Sequence, residues 1–232
     1  MKKLAKYLLL LLFAVLILFV IYGQKNFSQC ISTNSLQGKT PFYSKDLAIT
    51  ILPFGKFEEQ LVSEVKTGLI KLYGEIPVTV LSGEKLPEEA YYPPRKRYRA
   101  EKLLGYLRSR KAGNNGKIIG LTFVDISTTK GKYPDWGIFG LGSIGGQPCV
   151  VSTFRLKGKA TKELLAERLV KVVNHEVGHT LGLVHCSTKG CLMEAAKGKI
   201  STVDNGSGLL CKSCQLWLNQ RGWNVKCTGS VN

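Results

Sequence analysis

The hydrophobic and polar positions of this chain follow two different periods in turn, and this pattern predicts alternating strands and helices. Residues Leu47–Phe54, Ile76–Leu81 and Lys117–Phe123 are short apolar runs that predict strands. Glu58–Tyr73 and Tyr98–Lys111 carry apolar residues at helical spacing and predict helices. Because strands and helices alternate, the pattern predicts an α/β fold with a partly parallel sheet.

A third amphipathic helix is predicted from about Thr161 onward. Its apolar residues recur at helical spacing and are Leu164, Leu165, Leu169, Val172 and Val173. The segment before it, Cys149–Phe154, predicts a strand, and Cys214–Arg221 predicts a short helix near the end of the chain. The third helix runs directly into the residues that carry the chemistry of this chain.

All three histidines of the chain fall in one motif, H-E-x-x-H-x-x-G-x-x-H. His175 and His179 are four residues apart, so on a helix they project from one face. Gly182 follows, and glycine can take the positive φ that ends a helix and turns the chain. That turn would bring His185 to the same ion. Three imidazoles and a water molecule form a tetrahedral catalytic zinc site.

Glu176 stands beside the first of these ligands. A carboxylate in this position is free to take the proton of a zinc-bound water, which is the task of a general base. The alternative is a buried helix with incidental histidines. The register of Gly182 and His185 with the H-E-x-x-H element disfavours that alternative.

Four cysteines form a second pattern, and they are Cys186, Cys191, Cys211 and Cys214. Two closely spaced pairs of thiolates are typical of a closed structural zinc site. Two disulfides or a redox-active C-x-x-C are the alternatives. Because Cys186 directly follows His185, two bound ions would lie at most roughly 15 Å apart.

From residue 175 to residue 214 the chain resembles the archaemetzincins, since histidines, glutamate, glycine, methionine and cysteines all match that signature. Upstream blocks such as LAITILPFG and LPEEAYYPPRKRYRAEKLL are similar too, so the resemblance covers about residues 46–220. It implies a metzincin-like α/β zincin with a twisted mixed sheet, an active-site helix and a C-terminal four-cysteine zinc subdomain. It also implies two zinc ions per chain and a Met-turn at Met193 beneath the catalytic ion.

The N-terminus predicts a membrane segment. Tyr7–Tyr22 has no charge, and Lys2, Lys3 and Lys6 precede it, which favours an anchor with the N-terminus inside. A cleaved signal peptide or a buried core helix are the alternatives. An anchor predicts an extracytoplasmic catalytic domain and a signal peptide predicts a secreted one, whereas a cytoplasmic location is less favoured.

The predicted organisation is an anchor or signal peptide at 1–23, a polar linker at 24–45, a metallopeptidase domain at 46–221 and a tail at 222–232. Cys30, Cys149 and Cys227 lie outside the zinc set. Their odd number leaves at least one free or intermolecular thiol if the protein is exported.

The chain has a formal net charge of +17, which favours attraction to anionic surfaces. The densest basic run is Arg95–Arg99, and it predicts either a solvated helix start or a contact to an anionic partner. No zinc-finger helix, RNA-binding motif or basic zipper is present, so no specific nucleic-acid partner is expected. We expect a monomer.

Gly140, Gly142 and Gly145 form a G-x-G-x-x-G pattern. A dinucleotide site requires a helix after this turn, but a strand is predicted there. The pattern instead predicts a flexible loop beside an edge strand. In the archaemetzincins that edge strand faces the cleft, where a peptide could pair by β-addition.

The leading hypothesis is therefore a zinc peptidase acting on peptide or protein substrates. One alternative is a non-catalytic, zinc-stabilised binding module at a membrane or anionic surface. Another is a basic membrane-surface protein whose partner is an anionic polymer.

Overall fold

The computed structural model describes residues 47–110, 116–223 and 230–231. The strands in chain order are β1 (Ala48–Pro53), β2 (Val78–Val80), β3 (Tyr91–Tyr92), β4 (Arg97–Arg99), β5 (Gly116–Thr122), β6 (Ile126–Lys130), β7 (Tyr133–Ile138), β8 (Gly140–Gly142) and β9 (Pro148–Ser152). The α-helices are α1 (Glu59–Tyr73), α2 (Ala100–Ser109), α3 (Lys162–Thr180), α4 (Ile200–Asn205) and α5 (Lys212–Gln220). Two short 3₁₀ helices, Glu88–Ala90 and Pro93–Arg95, flank β3.

The larger sheet has five strands in the order β2-β1-β5-β9-β8. The first four strands are parallel, and β8 pairs with β9 in the antiparallel direction. Every residue of the central strand β5 is buried. A Cβ at Gly120 would come within 2.8 Å of the Phe54 ring and 2.9 Å of Leu107, so this strand has no room for a larger residue. The predicted α/β fold with a partly parallel sheet is confirmed.

The helices cover both faces of this sheet. On one face α1 packs against α3, and their crossing is so close that a Cβ at Gly68 would lie 2.3 Å from Val170. On the other face α2 buries Leu103 and Leu107 against β5 and β9. Helix α3 therefore packs against both the sheet and α1, which fixes the direction of its C-terminal end.

The sequence predicted that the basic run Arg95–Arg99 starts a helix, but the structure does not show this. Its last three residues form β4, and α2 begins only at Ala100. The strand belongs to a second sheet of order β3-β4-β6-β7. Arg97 binds Asp125 at 2.7 Å and Asp135 at 2.9 Å, so internal acids neutralise part of the run. The Tyr98 backbone N–H, which a helix start would leave free, donates to the Asp125 carbonyl.

The prediction of a membrane-anchored protein is corrected. Within the described ranges no helix combines the length and the apolar character needed to cross a bilayer. Residues 1–23, on which that prediction depended, lie outside the described part of the chain, as do the linker 24–45, Cys30 and Cys227. The membrane anchor with its extracytoplasmic catalytic domain, and the secreted location that a signal peptide predicted, are therefore not proposed for this protein.

Candidate active site

Helix α3 carries the first two histidines at its C-terminal end. It begins after Thr161, whose hydroxyl oxygen accepts a hydrogen bond from the Leu164 N–H at 3.2 Å, a typical N-cap. It continues for 19 residues without a break. After Leu181 the chain turns at Gly182, which has a φ of 102°, and this turn leads to His185. The helix start and the glycine turn agree with the sequence-based prediction.

The three histidines lie together. Their rings are 4.7 to 5.4 Å apart between centroids, and one ring nitrogen from each lies within 4.8 Å of the others. The Nε2 atoms of His175 and His179 are 3.1 Å apart. His179 is buried, His175 is half-buried and His185 is exposed, so the group opens on one side only.

The second nitrogen of two of these rings shows that the group fits a metal ion. Nδ1 of His175 lies 2.7 Å from the Leu192 carbonyl oxygen, and Nδ1 of His179 lies 2.8 Å from that of Leu183. A carbonyl oxygen can only accept, so each Nδ1 carries the proton and each Nε2 presents a lone pair. Two lone pairs facing each other repel unless a cation lies between them. Carbonyl contacts of this kind orient metal-binding histidines.

The local environment also keeps these imidazoles neutral. Burial, and after it the neighbouring His179, lowers the pKa of His175 to about 4. Burial is likewise the main cause that lowers the pKa values of His179 and His185. Neutral imidazole is the form that binds a metal.

Glu176 lies beneath the edge strand β8. A Cβ at Gly140 would be 2.7 Å from its Cγ, and a Cβ at Gly142 would be 2.9 Å from the Cβ of His179. Burial raises the pKa of Glu176 to about 8, and a hydrogen bond from the Gly142 backbone opposes that shift. The G-x-G element was expected to be a flexible loop, but it is strand β8 itself, and both glycines are required by this close approach.

Met193 packs directly under the histidine-bearing turn of α3. Its side chain is fully buried, and a Cβ at Gly178 would lie 2.6 Å from its Sδ. Gly178 stands between the two helical histidines in sequence, so only a residue without a side chain lets the methionine approach there.

The four cysteines form a second group, in which all four sulfurs lie within 4.8 Å of one another. The Sγ atoms of Cys186 and Cys211 are 3.7 Å apart, and those of Cys191 and Cys214 are 3.9 Å apart. Sulfurs bound tetrahedrally at about 2.3 Å from zinc would be about 3.8 Å apart, whereas a disulfide requires about 2.05 Å. The spacing therefore fits a zinc ion and not a disulfide.

The three-histidine group lies in a cleft of about 410 Å³. One wall is the run Trp136–Gly142 from β7 and β8, and the opposite wall is formed by the loop Leu192–Gly198 and by α4. His175, Glu176 and His179 lie between these walls. The cleft that holds the histidines is therefore lined by β8, a strand at the edge of the five-stranded sheet.

Comparison with known proteins identifies the family. The family model described as Peptidase family M54 matches residues 45–220. The chain belongs to peptidase family M54. The archaemetzincin of Haloarcula marismortui is 34% identical over 175 residues, which are 72% of this chain and 96% of the relative. This M54 member is therefore a zinc metallopeptidase, as the sequence-based resemblance predicted.

Solved structures of M54 proteins share its fold. The archaemetzincin from Methanopyrus kandleri has a TM-score of 0.66 at 31% identity and covers 79% of this chain and 98% of its own. The archaemetzincin from Archaeoglobus fulgidus, solved as a complex with malonate, has a TM-score of 0.62 at 30% identity and covers 73% of this chain and 98% of its own. The metzincin-like fold class is confirmed.

Sequence reasoning gave no role to Trp136, which lines this M54 cleft, or to Gly178, which occupies a variable position of the H-E-x-x-H motif. Their close contacts are with residues elsewhere in the sequence: Trp136 lies against Gly198, and Gly178 lies against Met193. The one available signal was the cluster of glycines around residues 137–146, which indicated a tight approach but not its partner.

Proposed function

We propose that His175, His179 and His185 bind the catalytic zinc ion and that Glu176 is the general base of peptide-bond hydrolysis. The observation that carries this proposal is the convergence of two Nε2 lone pairs at 3.1 Å, each fixed by a carbonyl on the other side of its ring. His185 completes the set, and Glu176 lines the same cleft.

A zinc ion held by these three histidines would supply Lewis acidity, which would polarise a peptide carbonyl and lower the pKa of water to about 7. The positive charge of that ion would favour the ionised form of Glu176, whose carboxylate would take a proton from the attacking water and return it to the leaving amine. Its carboxyl group is buried beneath β8, so bulk water does not compete for the proton. The carbonyls of Leu192 and Leu183 keep two imidazoles in the orientation that presents Nε2 to the ion.

We also assign the four cysteines to a second, structural zinc ion, so the proposed content is two zinc ions per chain. Three of the four cysteines are buried, and the Cys211 N–H donates to Cys191 Sγ at 3.4 Å. The contact between the Cys191 and Cys214 sulfurs is the main cause that lowers the pKa of Cys191 to about 5; burial opposes this shift and the Cys211 N–H adds to it. A thiolate in a closed shell is what a structural zinc site requires.

The peptide substrate is proposed to lie along β8. This strand is at the end of the five-stranded sheet, and its residues Gly140–Gly142 line the cleft beside Glu176. An extended peptide can pair with such an edge through backbone hydrogen bonds. A non-catalytic binding module is not favoured, because the carboxylate that hydrolysis needs is present and lines the cleft.

The test separates proton transfer from metal binding. We expect Glu176→Gln to keep both zinc ions and to lower kcat by roughly 10²- to 10⁴-fold, the usual contribution of general acid–base catalysis. His179→Ala should lose the catalytic zinc together with activity. Zinc content by atomic absorption and hydrolysis of a quenched-fluorescent peptide library are the two measurements.

The matched control is Glu194→Gln, because Glu194 is the other acid that lines the cleft among the described residues. Its carboxylate accepts the Gly190 N–H at 2.8 Å and is already engaged. If Glu194→Gln loses as much rate as Glu176→Gln, or if Glu176→Gln cleaves at the wild-type rate, the assigned general base is wrong.

A further inference from the structure

One end of the cleft is closed by the indole of Trp136. This residue comes from β7, and its ring lies 3.6 Å from the position of a Cβ on Gly198, in the opposite wall. The Nζ atom of Lys130 lies 5.1 Å from the centroid of the same ring. Lys197, the neighbour of Gly198, also lines the cleft. Lys130 and Lys197, from the two walls of the cleft, therefore both lie near the Trp136 ring.

The charges around the Trp136 ring do not balance. Three lysines and two glutamates line the cleft in the described part of the chain. Lys171 is paired with Glu167 at 2.7 Å, so its charge is compensated. Neither of the remaining lysines, Lys130 and Lys197, has an acidic partner among the residues that the structure describes, and both are exposed.

The two glutamates of the cleft do not offset this excess. Glu194 is turned to a backbone N–H, that of Gly190. Glu176 is buried beneath β8 and belongs to the proposed catalytic machinery. The Trp136 end of the cleft is therefore positive in the absence of a ligand.

Lys130 is also held in position. Its ammonium rests over the Trp136 ring, a contact that favours one arrangement of a long side chain. Asp135, the neighbour of Trp136, is bound to Arg97 at 2.9 Å, which fixes the β6–β7 hairpin to β4. Lys130 and His185 both line the cleft, so the lysine lies on the same surface as the three-histidine group.

We propose that Lys130, Lys197 and Trp136 form a subsite that binds a carboxylate of the peptide substrate beside the three-histidine site. This inference depends on the proposed function, because it names the substrate class of the same cleft. The carboxylate can belong to an aspartate or glutamate side chain or to a free C-terminus. A substrate with lysine or arginine at this position would meet two uncompensated like charges.

The experiment uses the zinc-loaded full chain and matched quenched-fluorescent peptides. One series carries glutamate or its isostere glutamine at each position around the scissile bond. A second series carries a free C-terminal carboxylate or an amide, so the two sources of the carboxylate are distinguished. For an exposed pair we expect kcat/KM to favour the charged peptide by up to about fivefold.

Variants of the hairpin assign the effect to one residue. Lys130→Gln should remove most of the preference, and Lys130→Glu should reverse it, so that the uncharged member of each pair is preferred. Lys132→Gln is the matched control, because Lys132 also rests on an aromatic ring, that of Tyr133 at 5.6 Å, but does not line the cleft. Equal effects of Lys130→Gln and Lys132→Gln, or no preference in wild type, would overturn the proposal.

A binding measurement tests the subsite independently of turnover. Fluorescence anisotropy of labelled peptides with the Glu176→Gln protein should show tighter binding of the charged member of each pair, and this difference should shrink with Lys130→Gln. If wild type cleaves none of the peptides while this binding difference persists, the proposed function fails and the subsite stands. If cleavage occurs without any charge preference in binding or rate, the subsite fails and the proposed function stands.

Discussion

The two candidate metal sites of this protein are neighbours in sequence but differ in exposure and chemistry. The three-histidine group offers nitrogen ligands, opens into a cleft and has His185 exposed. The four-cysteine group offers sulfur ligands, and three of its four members are buried. An open site with three protein ligands leaves a position for water and substrate, whereas a closed four-thiolate site contributes to folding.

One loop contributes to both sites, since it carries His185 of the histidine group and Cys186 and Cys191 of the cysteine group. Cys186 follows His185 in the chain, and the Cys186 N–H donates to the Met193 carbonyl at 2.8 Å. Leu192, whose carbonyl orients His175, follows Cys191. A metal bound to the cysteines would therefore fix the segment that completes the histidine site, so we expect the open site to depend on the closed one.

The largest expected effect comes from breaking the closed site. Binding of a structural zinc supplies about 10–16 kcal/mol, whereas a whole domain has a net stability of only about 5–15 kcal/mol. We therefore expect Cys214→Ala to lose both zinc ions and the cooperative unfolding transition. Circular dichroism during heating and zinc analysis of the purified protein are the measurements.

Cys149→Ala is the matched control for that experiment. Cys149 is fully buried in β9 and is a free thiol outside the four-cysteine group. Its replacement removes one sulfur from the core but no proposed ligand, so both zinc ions and a cooperative transition should remain. If Cys214→Ala folds with one zinc retained by the histidines, the proposed dependence of the open site on the closed one is wrong.

Chelation should separate the two sites without a mutation. We expect a mild chelator to remove one equivalent of zinc and all activity while the fold remains, because only the histidine site is open to solvent. The apparent melting temperature should fall by a few degrees, since loss of a bound ligand removes only its own binding free energy. Loss of both ions in one step, or activity that survives loss of the first, would contradict this.

The sequence was most informative where its own spacing determines geometry. The four-residue separation of His175 and His179 on an amphipathic helix, and the glycine turn after them, are local properties, and the structure has both. The strands β1, β5 and β9 were also predicted to within a few residues, because buried parallel strands are continuous apolar runs.

The second sheet was not predicted, for a physical reason. In the sequence Arg97 and Arg99 resemble a polar helix start, but they form ion pairs with Asp125 and Asp135, and the partners in these pairs are at least 28 residues apart in sequence. Likewise, the steric need for glycine at Gly142 depends on helix α3. Long-range contacts override local propensity at these positions, and a single sequence does not show them.

A smaller effect tests the packing of Met193 against Gly178, beneath the three-histidine site. A Cβ at Gly178 would lie 2.6 Å from the Met193 sulfur, so Gly178→Ala forces this core to shift at a cost of about 1–3 kcal/mol. Gly105→Ala in α2 is the control, because no atom lies within 4 Å of its Cβ position, and alanine there should stabilise the helix by about 0.5–1 kcal/mol. Chemical denaturation of both variants measures the difference. If both substitutions stabilise the protein, the contact between Gly178 and Met193 is not tight.

The smallest expected effect tests whether helix α5 also connects the two sites, in addition to the loop that they share. Trp217 lies on α5, the helix that carries Cys214, and its ring is 2.7 Å from the position of a Cβ on Gly182, at the turn leading to His185. The Arg221 guanidinium covers the same ring at 3.6 Å from the centroid. Trp217→Ala should therefore loosen that turn and weaken zinc binding at the histidines by about 0.5–1 kcal/mol of coupling free energy.

The cysteine-bound zinc should stay in place in that variant, since Trp217 contributes no ligand. Trp217→Phe should recover most of the affinity, because a smaller ring still packs on Gly182. Leu216→Ala is the control on the same helix, since Leu216 is 58% exposed. Competition with a fluorescent zinc chelator measures the affinity of the open site in each variant. Equal affinities for wild type and Trp217→Ala would show that α5 supports only the closed site and that the shared loop alone connects the two.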